Sequence, residues 1–124
     1  MARILSLSIV SIPVSDQQRA KEFYTDVLGF SVRTDAPMSD TARWIELGPE
    51  GAETSITLVT WFEWLKPGSV GGNVLRCDDI EGVHASIKAK GTEISDVDNQ
   101  PWGRFANFKD PDGNGWILMG EQAK

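Results

Sequence analysis

The sequence predicts an α+β domain made from one unit used twice, strand, helix and then three strands, and three observations carry that reading. Two stretches of alternating apolar residues each run into a helix-capping pattern. Each helical stripe then stops at a glycine, Gly29 in the first case and Gly91 in the second. Three short segments rich in β-branched and aromatic residues follow each glycine, separated by turn-forming residues. With 124 residues, the chain has room for one domain with a real core, or for two very small modules sharing one.

Arg3 to Val14 alternates Leu5, Leu7 and Ile9 with Ser6, Ser8 and Val10, the period of a strand. Ser15 with Gln18 forms a capping-box pattern, and Ala20, Phe23, Tyr24, Val27 and Leu28 recur at helical spacing up to Gly29. Phe30 to Thr34, Ala42 to Leu47 and Thr54 to Trp61 read as strands, with turn-rich segments between them. The run W-F-E-W-L-K-P-G-S-V-G-G then joins the halves; its glycines suit a flexible connection and its aromatics suit docking.

The plan then repeats. Asn73 to Cys77 is a strand, Asp78 with Glu81 a second capping pattern, and Ile80, Val83 and Ile87 a helical stripe. Thr92 to Ser95, Arg104 to Lys109 and Gly115 to Met119 complete the second unit. Between the last two, Asp110-Pro111-Asp112-Gly113 fits a type I turn, proline being pre-set at its second position and glycine free at its fourth. The expected organisation is one domain over 1–124, with module one at about 4–61, a joint at 62–71 and module two at about 72–120.

Composition narrows the function classes. A net charge of −6 and a pI near 4.7 argue against nucleic acid, which needs concentrated Lys and Arg. No apolar run is long enough to span a bilayer, so no membrane partner is expected. Cys77 is the only cysteine and no export signal is visible, so the cytoplasm is the expected compartment. Nucleophile-elbow and nucleotide-binding glycine motifs are absent.

The stretch from Gln100 to Leu118, Q-P-W-G-R-F-A-N-F-K-D-P-D-G-N-G-W-I-L, resembles the C-terminal signature of the vicinal oxygen chelate superfamily, which groups glyoxalase I, extradiol dioxygenases and bleomycin resistance proteins. P-W-G-R before an aromatic strand, followed by D-P-D-G-N, is most similar to the bleomycin resistance branch. The resemblance covers Ile4 to Met119 and implies two βαβββ modules forming a curved, half-open mixed sheet, in a protein that is often a homodimer. It also implies metal ligands at four positions, which here fall on Ile9, near Thr57, on Gly72 and on Ile117. Aliphatic side chains and glycine offer an ion no donor atom, and a lone threonine is a poor ligand. The expected pocket therefore holds no metal and no cofactor, and His84 reads as an ordinary helix residue.

Five tryptophans exceed what such a core needs. Trp44, Trp61, Phe62, Trp64, Trp102, Arg104, Phe105 and Trp116 are the candidate ligand-binding residues, because flat aromatic faces suit planar or cationic ligands. The resemblance places Trp102 at the tryptophan that lines the drug groove of bleomycin resistance proteins. No catalytic residue is assigned, and the expected activity is sequestration of a small molecule, with antibiotic resistance as its setting. The competing expectation is a glyoxalase or dioxygenase-type enzyme, a lyase or oxidoreductase of the same superfamily.

Overall fold

In the computed structural model, which describes residues 2–121, strand β1 (Ile9–Pro13) is shorter than the Arg3 to Val14 alternation predicts. A strand needs a partner as well as a pattern, and the parallel partner β4 (Ser55–Val59) reaches back only to Ile9, opposite Ser55. Before that point the chain is held by Ser8 O, which accepts from Ser55 N at 2.9 Å, and Leu7 O, which accepts from Thr54 Oγ1 at 2.8 Å.

The helix after β1 begins one residue later than the capping pattern suggests. Asp16, not Ser15, is the cap of α1 (Gln17–Glu22): its Oδ1 accepts from Arg19 N at 3.0 Å. This phase turns Gln17 and Ala20 inward. From Phe23 to Val27 the helix widens into π-type turns, with Leu28 N donating to Phe23 O. Thr25 Oγ1 donates to Lys21 O at 2.9 Å, a side-chain bond that competes with the regular ladder. The wider turn lets Tyr24, fully buried, meet both Phe23 and Phe30, with ring centroids 5.2 Å and 5.7 Å away.

The chain divides into two compact units, one ending at Pro67 and the other beginning at Gly68. In the first, β2 (Ser31–Pro37) and β3 (Arg43–Gly48) complete a sheet of order β1-β4-β3-β2. Register puts Ile12 beside Leu58, with Ile45 and Leu47 on the same side; all four are fully buried, and α1 packs on β3 and β4. Burial of four such side chains stabilises the unit by about 6–12 kcal/mol before entropy is counted. Gln17 fastens the helix to the sheet, its Nε2 donating to Arg43 O and Leu58 O while its Oε1 accepts from Arg43 N. The opposite face of the sheet carries Ser11, Trp44, Glu46, Ser55 and Thr57.

The second unit repeats the plan with β5 (Asn73–Arg76), α2 (Ile80–Ala89), β6 (Asp98–Gln100), β7 (Gly103–Lys109) and β8 (Gly115–Gly120) in order β5-β8-β7-β6. Its helix is capped by Asp79 through Gly82 N at 3.1 Å, again one residue beyond the predicted Asp78. Thr92 to Ser95 does not form the expected strand. Ile94 makes only a bridge to Phe108, and the strand lies at Asp98–Gln100 because the two-residue turn Pro101-Trp102 folds that segment against the start of β7. Gly120 lets α2 approach: a Cβ there would stand 2.8 Å from Ile80 Cβ.

The D-P-D-G-N turn is stapled by two buried side chains, Asp110 and Asn114. Gly113 N closes the turn on Asp110 O at 3.0 Å, and Gly113 takes φ of 96°. Asp110 Oδ1 accepts from Asp112 N and Asn114 N, and Asp110 Oδ2 accepts from Asn114 Nδ2 at 2.8 Å. Asn114 Oδ1 then accepts from Val70 N, and Gly115 N donates to Val70 O, so the turn holds the chain that leads into β5. A side chain at Gly68 would collide with the carbonyl of Asp112.

Candidate functional site

Four of the predicted ligand residues come together in the first unit as a continuous line of rings. Trp44 stands on the helix-free face of β3, near the end where β4 finishes. The chain leaving β4 therefore brings Trp61 alongside it, the two indoles stacking at 6.3 Å between centroids with planes 29° apart. Phe62 follows at 6.0 Å from Trp61, and Trp64 at 5.1 Å from Phe62, the latter pair held in a turn closed by Leu65 N on Phe62 O. Trp64 is 77 % exposed while the other three are partly covered, so the line runs from the sheet face out to solvent. Such a ledge can receive a flat ring by stacking, or a cation on its faces.

Polar groups border the ledge on the same sheet face. Glu46 lies opposite Thr57, and Thr57 opposite Ser11. Ser55 Oγ donates to Glu46 Oε2 at 2.8 Å, and Thr57 Oγ1 donates to Ile45 O at 2.9 Å. Behind Trp44, Asp35 accepts from Arg43 and from Lys21. Those bonds, Arg43 first and Lys21 second, hold the Asp35 carboxyl down at about 2.

The other predicted residues lie in the second unit and are not joined to one another in that way. Trp102 stands in the β6–β7 turn, 72 % exposed, and Phe105 is partly covered on the face of β7 away from α2. Arg104 points the other way, its guanidinium paired with Glu81 of α2 and donating to Asn99 Oδ1 at 2.7 Å. Trp116 is buried, sharing its side of β8 with Leu118 and with Gly120, which touches α2. A hollow of about 280 Å³ is lined by Gly72, Asn107, Lys109, Gly115, Ile117 and the strand segment at Phe108 and Trp116.

The positions at which the resemblance implies metal ligands are poor in donors. Ile9, Gly72 and Ile117 bring no donor atom and the Thr57 hydroxyl is committed to Ile45 O. Among the described residues, no three His, Cys, Asp or Glu side chains stand close enough to hold one. His84 is engaged with Ser95 O at 2.8 Å. Cys77 donates to Met119 O, and burial, then Asp78 and Asp79, push its thiol up, so it is a poor nucleophile. No helix among the described residues is long and apolar enough to cross a membrane.

Residues 6–118 match the family model described as the Glyoxalase/Bleomycin resistance protein/Dioxygenase superfamily. The chain belongs to that superfamily. Its α+β fold is that of solved superfamily members. TnmS3, described as an antibiotic binding protein from Streptomyces sp. CB03234, is 40 % identical, with a TM-score of 0.92 over 98 % of this chain and all of that one. A glyoxalase/bleomycin resistance protein from the same organism is 43 % identical, with a TM-score of 0.84 over 92 % of this chain and 99 % of that one. Among curated proteins, YetH of Bacillus subtilis (strain 168) is 40 % identical over 93 % of this chain and 98 % of its own length.

The sequence missed the pairing of Ser55 with Glu46. Nothing in the spacing of the two residues signals it, because it depends on the β3–β4 register; the alternation of Trp44 with Glu46 on one strand was the available clue.

Proposed function

We propose that this superfamily member binds and sequesters a planar or cationic small molecule, in the manner of bleomycin resistance proteins, without a metal and without catalysing a reaction. The observation that carries the reading is the ring line Trp44, Trp61, Phe62 and Trp64. Core tryptophans are ordinarily covered, whereas this line ends at an indole 77 % exposed. The resemblance of the whole chain to TnmS3, described as antibiotic binding, supports a ligand of that class. Trp102 and Phe105 belong to the proposal as further ring faces in the second unit. A homodimer is proposed too, supported by Ile4, Leu5 and Leu7, which are 93 %, 80 % and 69 % exposed and give a second copy apolar surface to cover. The cytoplasm remains the proposed compartment, on the single cysteine.

Intrinsic tryptophan fluorescence tests the binding reading. Titration with metal-free bleomycin, and separately with acridine as a bare planar ring system, is expected to give saturable quenching by at least one of them at about one ligand per subunit. Trp44→Ala is expected to weaken that response by about tenfold, the worth of one good aromatic stack. Absence of quenching by either compound up to the solubility limit refutes the reading.

A further inference from the structure

We propose that Glu46 selects the ligand's charge, so that the compound taken at the Trp44 ledge is an aromatic ring system carrying a protonated amine. This rests on the ledge being the ligand seat. Trp44 and Glu46 are alternate residues of β3, so their side chains leave the same side of the sheet about 7 Å apart. Ser55 Oγ donates to Glu46 Oε2 and so fixes the direction of the carboxylate. Its other oxygen, Oε1, has no hydrogen-bond partner among the described residues, and no lysine or arginine among them pairs with it.

The contrast with Asp35 on the same sheet shows what is missing. Asp35 has two cations, Arg43 and Lys21, at 2.6 Å and 2.7 Å. Glu46 is partly covered and has one hydroxyl. On its face Ser11 and Ser55 are neutral, and Thr57 has committed its hydroxyl to Ile45 O. The Arg33 guanidinium, whose Nη2 stands 3.4 Å from where a Cβ on Gly48 would lie, donates to Pro49 O and Ala52 O and makes no ion pair with Glu46. A neutral ring placed on Trp44 would strip water from the carboxylate and offer nothing in return. A ring bearing an ammonium group would supply the missing partner, while the stacked indoles favour the same charge through their faces.

The test uses a matched pair at pH 7.5, acridine, which is neutral there, and 9-aminoacridine, which is cationic, titrated into the full chain by tryptophan quenching. The wild-type protein is expected to prefer the cation about tenfold, and the preference to fall with added salt. Glu46→Gln keeps an acceptor for Ser55 and is expected to bring the two affinities together by weakening only the cation. Glu50→Gln, an exposed carboxylate in the loop after β3, should leave the preference in place and so separates Glu46 from the general acidity of the chain. Equal affinities in the wild type, or a preference that survives Glu46→Gln, overturns the assignment while leaving the ledge intact. Failure of both compounds to quench the wild type overturns the ledge reading, and this inference with it. Should the glutamine variant not fold, the salt dependence of the wild-type preference still decides: a preference unmoved by salt refutes a charge contact.

Discussion

Asn114→Ala should cost this protein more than any surface change, and the cost can be worked from its contacts. The side chain is fully buried. Its Nδ2 donates to Asp110 Oδ2 at 2.8 Å and its Oδ1 accepts from Val70 N at 3.2 Å. Truncation removes a bond to a carboxylate and one to a backbone amide, together about 2–4 kcal/mol including the cost of leaving the Val70 N–H without that acceptor. For a chain of this size, about 3 kcal/mol corresponds to a melting temperature lower by roughly 10 °C. Thermal unfolding followed by circular dichroism reads it, with hydrogen exchange at Val70 as the local probe. Asn114→Asp should cost at least as much near neutral pH, because it sets a second carboxylate against Asp110. If the alanine variant melts within about 2 °C of wild type, a smaller loss than one buried hydrogen bond produces, the staple is not what holds this turn to the segment before β5.

Asp35 gives a pH prediction. Its folded value of about 2 lies below its ordinary 3.8, so its contribution to stability is fully present above the ordinary value and is lost as pH falls toward the folded one. Because the Asp35 cluster is partly exposed, Asp35→Asn should cost less than about 1 kcal/mol at neutral pH, and denaturation curves of the two proteins should converge between about pH 4 and pH 2. Gly120→Ala should destabilise by about 1–3 kcal/mol, because the new methyl group meets Ile80 of α2; an unchanged urea midpoint would mean that the helix shifts freely. Arg104→Met should lower stability by less than about 1 kcal/mol and leave aromatic-probe affinity unchanged, since the guanidinium faces Glu81 and Asn99; a large loss of affinity would give Arg104 a direct part in binding. Dialysis against a chelator should leave the melting temperature unchanged, given that the resemblance implies metal ligands at Ile9, near Thr57, at Gly72 and at Ile117; a bound stoichiometric metal that restores stability would contradict that.

Local chemistry in the sequence determined the repeated plan. Apolar alternation, capping carboxylates and positive-φ glycines such as Gly29 and Gly91 specify which segments become strands and helices, because each acts within a few residues. The D-P-D-G turn was legible for the same reason. Cap positions slipped by one residue at Asp16 and Asp79, since both neighbours can cap and the choice falls to the phase that buries Ala20 and Ile80. Strand β6 was misplaced because Thr92 to Ser95 has strand-forming residues, while the pairing was set by the Pro101-Trp102 turn.

The candidate site divides along the same line. That aromatic residues were in excess could be counted, but which of them meet could not, because a tryptophan in a strand faces solvent or core according to a register fixed by other strands. Only the tertiary structure put Trp44, Trp61, Phe62 and Trp64 in one line, turned Arg104 toward Glu81, buried Trp116, and brought Ser55 to Glu46. Backbone preference is written residue by residue, whereas the company a side chain keeps is decided by partners distant in the chain.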